Sequence, residues 1–391
     1  MKTAVQFGAG NIGRGFMGQL LFESGYKTVF VEAKKALVEQ LNERKCYPLR
    51  ILDAYSQKAI ELKIENIEAL NVSETGAVAD AISRADVMST AVGLKNFDPV
   101  SAVIAEGVKK RCKTNPSPVD IYLCENALNA SDILRPKVLE KLDPVVGKWA
   151  QDNIGFVGTV VARMVPEAAS RSGIEDPLLV VADSYHRLAY DQKAVRGAVP
   201  GIEGIYPAGN FKAAVEIKLF VYNLGHAALA YLGSLKGYSY IHETIKDSEC
   251  FSVFDRALEE TSSALLKQYP EDFDFLDQKE VREDIRLRYG NPMIMDTVHR
   301  VGRDPIRKLG PEDRLIGSAK LCISQGIFPE NIARICAAAL CCNFQQDPDA
   351  VKLQEMIKTR GVEVVLEQVS KIDPGGALCE KILYFYHELR K

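Results

Sequence analysis

Lys218, Asn223 and His226 are three polar side chains on one strongly apolar segment, residues 211–235. The segment is apolar almost all round, and a helix of that kind is buried rather than lying on a surface. Polar groups inside it therefore need hydrogen-bonding partners or a ligand. At roughly 100° per residue of an α-helix, the three side chains fall within one arc of about 140°. We expect them to face a common cavity.

An amine, an amide and an imidazole in a dry cavity have the chemistry to move a proton to or from an alcohol. Desolvation of the Lys218 ammonium lowers its pKa towards working pH, which suits a general base. Asn223 can donate its amide to the reacting oxygen, and His226 can hydrogen-bond that oxygen or a neighbouring hydroxyl. The alternatives are structural: a helical lysine often extends to the surface, and a lone histidine in an apolar helix is usually a satisfied core residue.

A glycine-rich turn near the start of the chain predicts a dinucleotide site. The turn follows a predicted strand, Ala4–Phe7, and opens a predicted helix, Asn11–Glu23, as the fingerprint G-x-G-x-x-G requires. Its glycines permit a tight turn and the approach of a pyrophosphate, and the helix N-terminus offers N–H donors to phosphate. The alternative is an ordinary tight turn. The expected cofactor-binding residues here are Gly8, Ala9, Gly10, Asn11, Ile12 and Gly13.

Glu32 ends the next predicted strand, Thr28–Glu32, and indicates which cofactor is used. A carboxylate there accepts hydrogen bonds from the adenosine ribose and repels a 2′-phosphate, which favours NAD over NADP. Lys34 and Lys35 follow directly and are able to neutralise such a phosphate, so NADP stays the alternative.

The order of the predicted elements indicates two domains in the 391 residues. Strands and helices alternate in the first half, which implies a mostly parallel sheet with helices on both faces. Glycine and proline are frequent at 197–209, and from Phe211 onwards the patterns predict helices almost exclusively. We therefore expect an α/β fold: an N-terminal Rossmann-type doubly wound sheet over residues 1–198, then an all-α C-terminal domain over residues 199–391.

The composition limits the partners and the compartment. A net charge of −3 and a pI of about 6.1 give no basic field for nucleic acid, and the chain lacks the run of about 18 apolar residues that a membrane span needs. The nine cysteines include no C-x-x-C pair, which favours a reducing cytoplasm over disulfides or structural zinc. The five histidines lack metal-ligand spacing, so we expect no metal. No exposed apolar heptad run invites pairing, and we expect a monomer.

The combination K-x-x-x-x-N-x-x-H with the N-terminal fingerprint resembles the polyol-specific long-chain dehydrogenase/reductase family, which needs no zinc. The likeness spans essentially the whole chain. It is carried by the opening Phe7–Phe16, by Cys124-Glu125-Asn126, and in the second half by Arg288–Pro292, Asp296, Arg300–Leu309 and Asp313–Leu315.

The resemblance implies reversible, NAD-dependent oxidation of D-mannitol 1-phosphate to D-fructose 6-phosphate. Lys218 would be the general acid/base, with Asn223 and His226 polarising and orienting the reacting oxygen. Asn126, which follows a predicted strand, would lie close to the nicotinamide or the substrate. The alternative for Asn126 is a helix N-cap.

A phosphorylated sugar also needs cations. The candidates for its phosphate are Arg300, Arg303 and Arg307, with Lys308 beside them and Arg14 as a second possibility. The alternative is that these residues pair with nearby carboxylates, namely Asp296, Asp304, Glu312 and Asp313, and hold the helical domain together.

One stretch departs from the family pattern. Where the pattern has Glu-x-Phe-x-x-Trp, this chain has Asp183-Ser-Tyr-His-Arg-Leu188, so we expect Asp183 to replace the glutamate and the pocket to differ locally in shape. Two other functions remain open. The same machinery could reduce a hexuronate such as fructuronate or tagaturonate, with the arginines binding a carboxylate, or the chain could be a non-catalytic NAD-binding regulator.

Overall fold

The computed structural model describes residues 1–127, 129–166, 176–273 and 275–391, with the backbone alone at 275 and 276. The chain forms two compact units, Met1–Phe211 and Lys212–Lys391. No helix within these described residues is both long enough and apolar enough to span a membrane.

The first unit is built on an eight-stranded sheet in the order β11-β10-β8-β7-β6-β1-β2-β5. All neighbouring strands are parallel except β8 and β10. The order runs outwards in both directions from β1 and β6, so the crevice for a ligand lies beyond their carboxyl ends. The strands are β1 (Thr3–Phe7), β2 (Lys27–Glu32), β5 (Ile67–Asn71), β6 (Val87–Thr90), β7 (Val119–Leu123), β8 (Ile154–Val161), β10 (Leu188–Asp191) and β11 (Ile205–Ala208). A smaller sheet joins β3 (Tyr47–Asp53) to β4 (Lys58–Ile64) and β9 (Val180–Asp183).

Helices cover both faces of the large sheet. Because successive strand residues point to opposite faces, Val5 and Phe7 of β1 join one apolar core, whereas Ala4 joins another with Phe16 and Leu20. The helices are a π-helical turn (Gly13–Met17), α1 (Gly18–Glu23), α2 (Lys35–Arg44), α3 (Thr75–Arg84), α4 (Phe97–Thr114), α5 (Ala130–Leu139) and α6 (Pro144–Asn153).

The second unit is helical throughout its described regular structure. Its central helix is α8, which packs against α9, α10, α12 and α15. The elements are α7 (Phe211–Ile217), a π-helical segment (Lys218–Asn223), α8 (Leu224–Leu235), α9 (Ile241–Thr244), α10 (Ser248–Gln268), α11 (Phe275–Tyr289), α12 (Val298–Gly302), α13 (Pro305–Lys308), α14 (Ile316–Ser324), α15 (Glu330–Cys341), α16 (Pro348–Arg360), α17 (Val362–Gln368) and α18 (Ala377–Leu389).

The expected fold class, a doubly wound parallel sheet followed by a helical domain, is confirmed. Two details differ from expectation. The division falls after Phe211 rather than after residue 198, because β11 pairs with β10 and thereby belongs to the sheet. Helices α5 and α6 were not predicted, and α5 contains Pro136, a residue that usually ends a helix.

Candidate active site and cofactor-binding loop

The polar segment of the second unit lies at a change of helical winding. Lys218–Asn223 forms π-helix between α7 and α8, so the helix is continuous over Phe211–Leu235 but is wider in the middle. In an α-helix, residues five apart are turned about 140° from each other, whereas an i→i+5 turn brings them close to the same face. Lys218 and Asn223 are five apart. His226 follows Asn223 by three residues in α8, and such residues are neighbours on a helix.

The Lys218 ammonium is strongly desolvated. Burial is the largest cause that lowers its pKa, to about 7, and the positive charges of Arg314 and Arg307 act in the same direction. The negative charge of Asp313 opposes them. A lysine amine of this kind is partly neutral near pH 7 and can therefore both accept and donate a proton.

His226 is held on two sides. Its ring stacks on the ring of Tyr289, with centroids 4.5 Å apart and an interplanar angle of 15°, and the Tyr289 hydroxyl donates to the Tyr222 carbonyl at 2.7 Å. Its Nε2 lies 3.0 Å from Oδ2 of Asp296. Burial lowers the pKa of His226 and outweighs the opposite effect of the Asp296 carboxylate, which favours the neutral imidazole at pH 7.

Two buried nitrogens of the segment have no hydrogen-bond partner of good geometry among the described residues: Nδ2 of Asn223 and Nε2 of His226. For His226 the distance to Asp296 is short, but the N–H direction is off the line to the carboxylate oxygen. Catalytic hydrogen bonds are often poorly aligned until a ligand binds, and the 3.0 Å separation is within hydrogen-bonding distance of Asp296. The amide of Asn223 remains as a donor suited to a ligand oxygen.

The arginines of the 296–314 segment largely pair with carboxylates. Arg300 donates through Nε and Nη2 to the two oxygens of Asp296, at 2.7 and 2.6 Å. Arg307 donates to Asp313 at 2.8 Å and lies 3.4 Å from Asp304. The side chain of Arg303 is exposed, and its Nε donates to the Arg300 carbonyl at 3.3 Å.

Lys308 and Arg14, the two remaining cation candidates, are buried and hydrogen-bonded to backbone carbonyls. Lys308 donates to the carbonyls of Val301, at 2.6 Å, and of Arg303. Arg14 donates to Ala9, at 2.7 Å, and to Leu178, at 2.6 Å. Burial lowers the pKa of both side chains. Both side chains therefore stabilise the backbone segments whose carbonyls they contact.

The glycine turn of the first unit has the close approaches that only glycine allows. Gly8 has φ +87°, and an added Cβ would lie 2.5 Å from the Ala91 carbonyl oxygen. A Cβ at Gly13 would lie 2.0 Å from the Gly8 carbonyl oxygen. At Gly10 nothing lies within 4 Å of such a Cβ, and the residue is exposed. The turn is therefore closely packed at Gly8 and Gly13 and open at Gly10, where a bound pyrophosphate would need space.

Glu32 lies at the end of β2 and contacts the same turn. Its carboxylate accepts from the N–H groups of Ala9, Ala33 and Lys34 at 2.9, 2.9 and 3.0 Å. These bonds fix the carboxylate beside the glycine turn, where a ribose hydroxyl would meet it. Lys34 and Lys35 are exposed, and Lys35 lies 3.8 Å from Glu39.

The loops after β6 and β7 are joined by Glu125. Its buried carboxylate accepts from the N–H groups of Val92 and Gly93 at 2.9 and 2.8 Å. Asn126 is exposed next to it. The alternative reading of Asn126 as an N-cap is wrong for the following helix, because α5 begins at Ala130 with Asn129 at its N-cap position.

Asp183 lies at the end of β9 and is buried. Its carboxylate accepts from the N–H of Met164 at 3.2 Å, and its carbonyl accepts from Nε of Arg163 at 2.9 Å. The residue thus ties β9 to the segment that follows β8. Among the described residues, no group of three or more histidine, cysteine or acidic side chains is arranged to hold a metal ion.

Sequence reasoning missed three residues that contact or influence the candidates. Asp296 contacts His226, Arg314 lies close enough to Lys218 to lower its pKa, and Glu125 joins two loops of the cofactor crevice. Each belongs to a motif that carried the family resemblance, which was the available signal. The contacts themselves join positions far apart in the sequence.

Two family profiles together cover the chain. The mannitol dehydrogenase Rossmann domain matches residues 2–204, and the mannitol dehydrogenase C-terminal domain matches residues 210–390. A protein of Caldanaerobacter subterraneus subsp. tengcongensis named mannitol-1-phosphate 5-dehydrogenase is 36% identical over 390 residues, covering 100% of this chain and 99% of its own. A protein of the same name from Geobacillus stearothermophilus is 38% identical over 377 residues, with 96% of each covered.

Two solved structures share the fold. A substrate-free D-sorbitol dehydrogenase superposes with a TM-score of 0.81 at 18% identity, over 99% of this chain and 93% of its own. The mannitol 2-dehydrogenase of Pseudomonas fluorescens, solved as a ternary complex with NAD and D-mannitol, has a TM-score of 0.79 at 19% identity, over 100% and 92%.

Proposed function

The chain belongs to the mannitol dehydrogenase family, and on that premise we propose that it catalyses the reversible, NAD-dependent oxidation of D-mannitol 1-phosphate to D-fructose 6-phosphate. Membership of this family supports an oxidoreductase activity, and the names of the full-length relatives support D-mannitol 1-phosphate as the substrate. The expected family resemblance is confirmed.

The observation that carries the proposal is the desolvated amine of Lys218, with a pKa lowered to about 7 by burial, on the same helix as Asn223 and His226. During oxidation the neutral amine takes the proton of the reacting hydroxyl as the carbon gives up its hydride. Asn223 donates its amide to the reacting oxygen and stabilises the charge that develops there. In the reverse direction the ammonium returns the proton to the oxygen.

The first unit supports NAD as the cofactor. The glycine turn is open at Gly10 and would offer N–H groups to a pyrophosphate. Its residues are Gly8, Ala9, Gly10, Asn11, Ile12 and Gly13. Glu32 would accept from the adenosine ribose, and its negative charge favours NAD over NADP. Asn126, beside the loops that Glu125 joins, would contact the nicotinamide or the substrate. NAD supplies the acceptor for the hydride.

The substrate phosphate would be bound by Arg303 together with Arg300 and Arg307. Arg303 is exposed, and in the sequence it lies between Arg300 and Arg307. The charges of those two arginines are partly balanced by Asp296 and Asp313, respectively. Binding of a phosphate dianion adds negative charge to this segment, and arginine geometry suits its oxygens.

We also propose that the protein works as a monomer in the cytoplasm. All nine of its cysteines are free thiols in the structure, which suits a reducing compartment. Size-exclusion chromatography with light scattering tests the oligomeric state. A mass near twice 43.2 kDa would overturn the monomer.

The experiment that tests the function is NADH oxidation with fructose 6-phosphate, fructose, fructuronate and tagaturonate offered in parallel. We expect turnover with fructose 6-phosphate and a far lower kcat/KM with fructose, which lacks the phosphate. Turnover of the uronates instead would make the protein a hexuronate reductase. Tight NADH binding without turnover of any of the four would make it a non-catalytic NAD-binding protein.

A further inference from the structure

The orientation of the His226 ring is restricted by two contacts, one with its face and one with its Nε2 atom. Stacking on Tyr289, at 4.5 Å between centroids, sets the plane of the ring. The contact between Nε2 and Oδ2 of Asp296, at 3.0 Å, sets which edge faces the carboxylate. With its plane and one edge fixed, the other ring nitrogen, Nδ1, has a defined direction. The side chain of His226 keeps 16% of its surface accessible to solvent.

Asp296 is itself held as an anion. Burial raises its pKa, but the contacts with His226 and the two hydrogen bonds from Arg300 outweigh burial and leave the pKa below its ordinary value. The backbone adds a further anchor, because the Asp296 carbonyl accepts from the N–H of Ile241 at 2.9 Å. A negative charge thus lies at a fixed place beside Nε2.

A neutral imidazole carries one proton, on either Nδ1 or Nε2. A carboxylate 3.0 Å from Nε2 attracts the proton to that nitrogen, because an N–H there faces a negative charge and a lone pair there would be repelled by it. The proton on Nε2 leaves a lone pair on Nδ1. His226 is then a hydrogen-bond acceptor at its remaining nitrogen.

We propose that Asp296 is a positioning residue that keeps the His226 proton on Nε2, so that Nδ1 accepts a hydrogen bond from a substrate hydroxyl next to the reacting carbon. The part that concerns the substrate rests on the function proposed above. The reacting oxygen itself is a poor partner for Nδ1, because it loses its proton on oxidation and a carbonyl oxygen cannot donate. A neighbouring hydroxyl keeps its proton in both directions of the reaction.

The proposal divides the polar groups of the helix by role. Asn223 is a donor and serves the reacting oxygen, while His226 is an acceptor and serves the neighbouring hydroxyl. An acceptor at that place selects sugars and polyols over simple ketones and alcohols, since a site built to bind a hydroxyl disfavours analogues without one.

The test that does not depend on activity is the tautomer of His226, measured by NMR on protein labelled with 15N-histidine and assigned with His226→Gln. At pH 7.5 we expect a protonated Nε2 and an unprotonated Nδ1. In Asp296→Asn we expect the Nδ1-protonated form to become populated, because the amide can donate to Nε2 and remove the reason for a proton there. The matched control is Asp255→Asn, which removes another arginine-paired carboxylate of this unit, the partner of Arg286.

A wild-type His226 protonated on Nδ1 would overturn the proposal, and so would an Asp296→Asn variant that keeps all of its proton on Nε2. If Asp296→Asn does not fold, the wild-type spectrum decides alone. Arg300→Gln tests whether the other partner of the Asp296 carboxylate is needed. It leaves Asp296 beside His226, and we expect the proton of His226 to stay on Nε2.

Activity provides the second arm. We expect Asp296→Asn to lower kcat/KM for fructose 6-phosphate about 10- to 100-fold, as when an orienting partner of a functional histidine is removed, and Asp296→Glu to restore part of it. NADH affinity should stay at the parent value, and Asp255→Asn should match the parent in both. A protein with the expected tautomers but without turnover of fructose 6-phosphate would refute the proposed function and leave the positioning role intact. Parent-like turnover in Asp296→Asn with a changed tautomer would refute the role of Nδ1.

Discussion

At the scale of single residues, the environment of Lys218 lowers the pKa of an amine that would be charged in water. Burial is the largest cause, and Arg314 adds to it, while Asp313 acts in the opposite direction. A pKa of about 7 lets one side chain serve as base in one direction of the reaction and as acid in the other. The same group in an exposed position would stay protonated and could not act as a base.

The pH dependence follows from that pKa. In the proposed mechanism, oxidation of mannitol 1-phosphate needs the neutral amine of Lys218, so kcat/KM should rise with pH and level off above about 7. Reduction of fructose 6-phosphate needs the ammonium and should fall over the same range. Asp313→Asn removes a charge that raises the pKa of Lys218, so both profiles should move to lower pH. Profiles measured in both directions check this, and a shift to higher pH in the variant would contradict it.

Arg303 is the residue on which phosphate recognition can be tested most cleanly, because Arg300 also holds Asp296. We expect Arg303→Ala to raise the KM for fructose 6-phosphate about tenfold or more, as loss of a charge-assisted hydrogen bond does. The KM for NADH should not change. Arg360→Ala, which removes an exposed arginine of α16, is the control. If both variants have the parent KM, Arg303 does not bind the phosphate.

At the scale of elements, each candidate motif overlaps a π-helical turn: Gly13–Met17 begins at the last glycine of the first motif, and Lys218–Asn223 contains two of the three polar residues of the second. Such turns are rare and are frequently found at functional sites. In the second unit the wider turn brings Lys218 and Asn223 towards one face, where an α-helix would turn them about 140° apart. Local winding of this kind decides which side chains can meet a single ligand.

The sequence was sufficient for the features that depend on local periodicity. It predicted the glycine turn between strand and helix, and it predicted helix over 211–235, because apolar spacing and glycine positions carry that information. It did not predict the π winding, the helix α5 around Pro136, or the contact between Asp296 and His226. These depend on packing between distant parts of the chain, which overrides local preference.

Two glycines of the cofactor turn provide a matched pair. A Cβ at Gly13 would meet the Gly8 carbonyl oxygen at 2.0 Å, a backbone atom that cannot move away cheaply, so Gly13→Ala should destabilise the fold by about 1–3 kcal/mol. A Cβ at Gly10 meets nothing within 4 Å, so Gly10→Ala should unfold at the parent temperature. It should nevertheless bind NADH more weakly, because the methyl group projects into the space for the pyrophosphate.

Thermal unfolding and NADH titration of both variants check this pair. If Gly10→Ala binds NADH with the parent affinity, the pyrophosphate does not lie in front of Gly10. If Gly13→Ala is as stable as the parent, the close approach to Gly8 is not present in solution.

At the scale of the whole molecule, the chain combines a sheet unit that contains the glycine turn with a helical unit that contains Lys218, Asn223 and His226. The two units, Met1–Phe211 and Lys212–Lys391, correspond closely to the residues that the two family profiles match, 2–204 and 210–390. In the mechanism proposed above, the group that polarises the alcohol oxygen is an amide and the base is an amine, so the chemistry uses only side chains and NAD.

Independence from metal is therefore an expected property of the intact protein. Dialysis against EDTA and assay in metal-free buffer should leave kcat for fructose 6-phosphate within experimental error of the untreated enzyme. Loss of activity that zinc restores would show that the oxygen is polarised by a metal.

The most direct test is turnover of Lys218→Ala, with Lys212→Ala as the control. Lys212 lies on the same continuous helix, but 71% of its side chain is exposed. With fructose 6-phosphate and NADH we expect Lys218→Ala to fold, to bind NADH as the parent does, and to lose about 10²- to 10⁴-fold in kcat, the range that general acid–base catalysis supplies. Lys212→Ala should keep the parent rate. A folded Lys218→Ala variant that binds NADH and turns over at the parent rate would contradict the role of this amine.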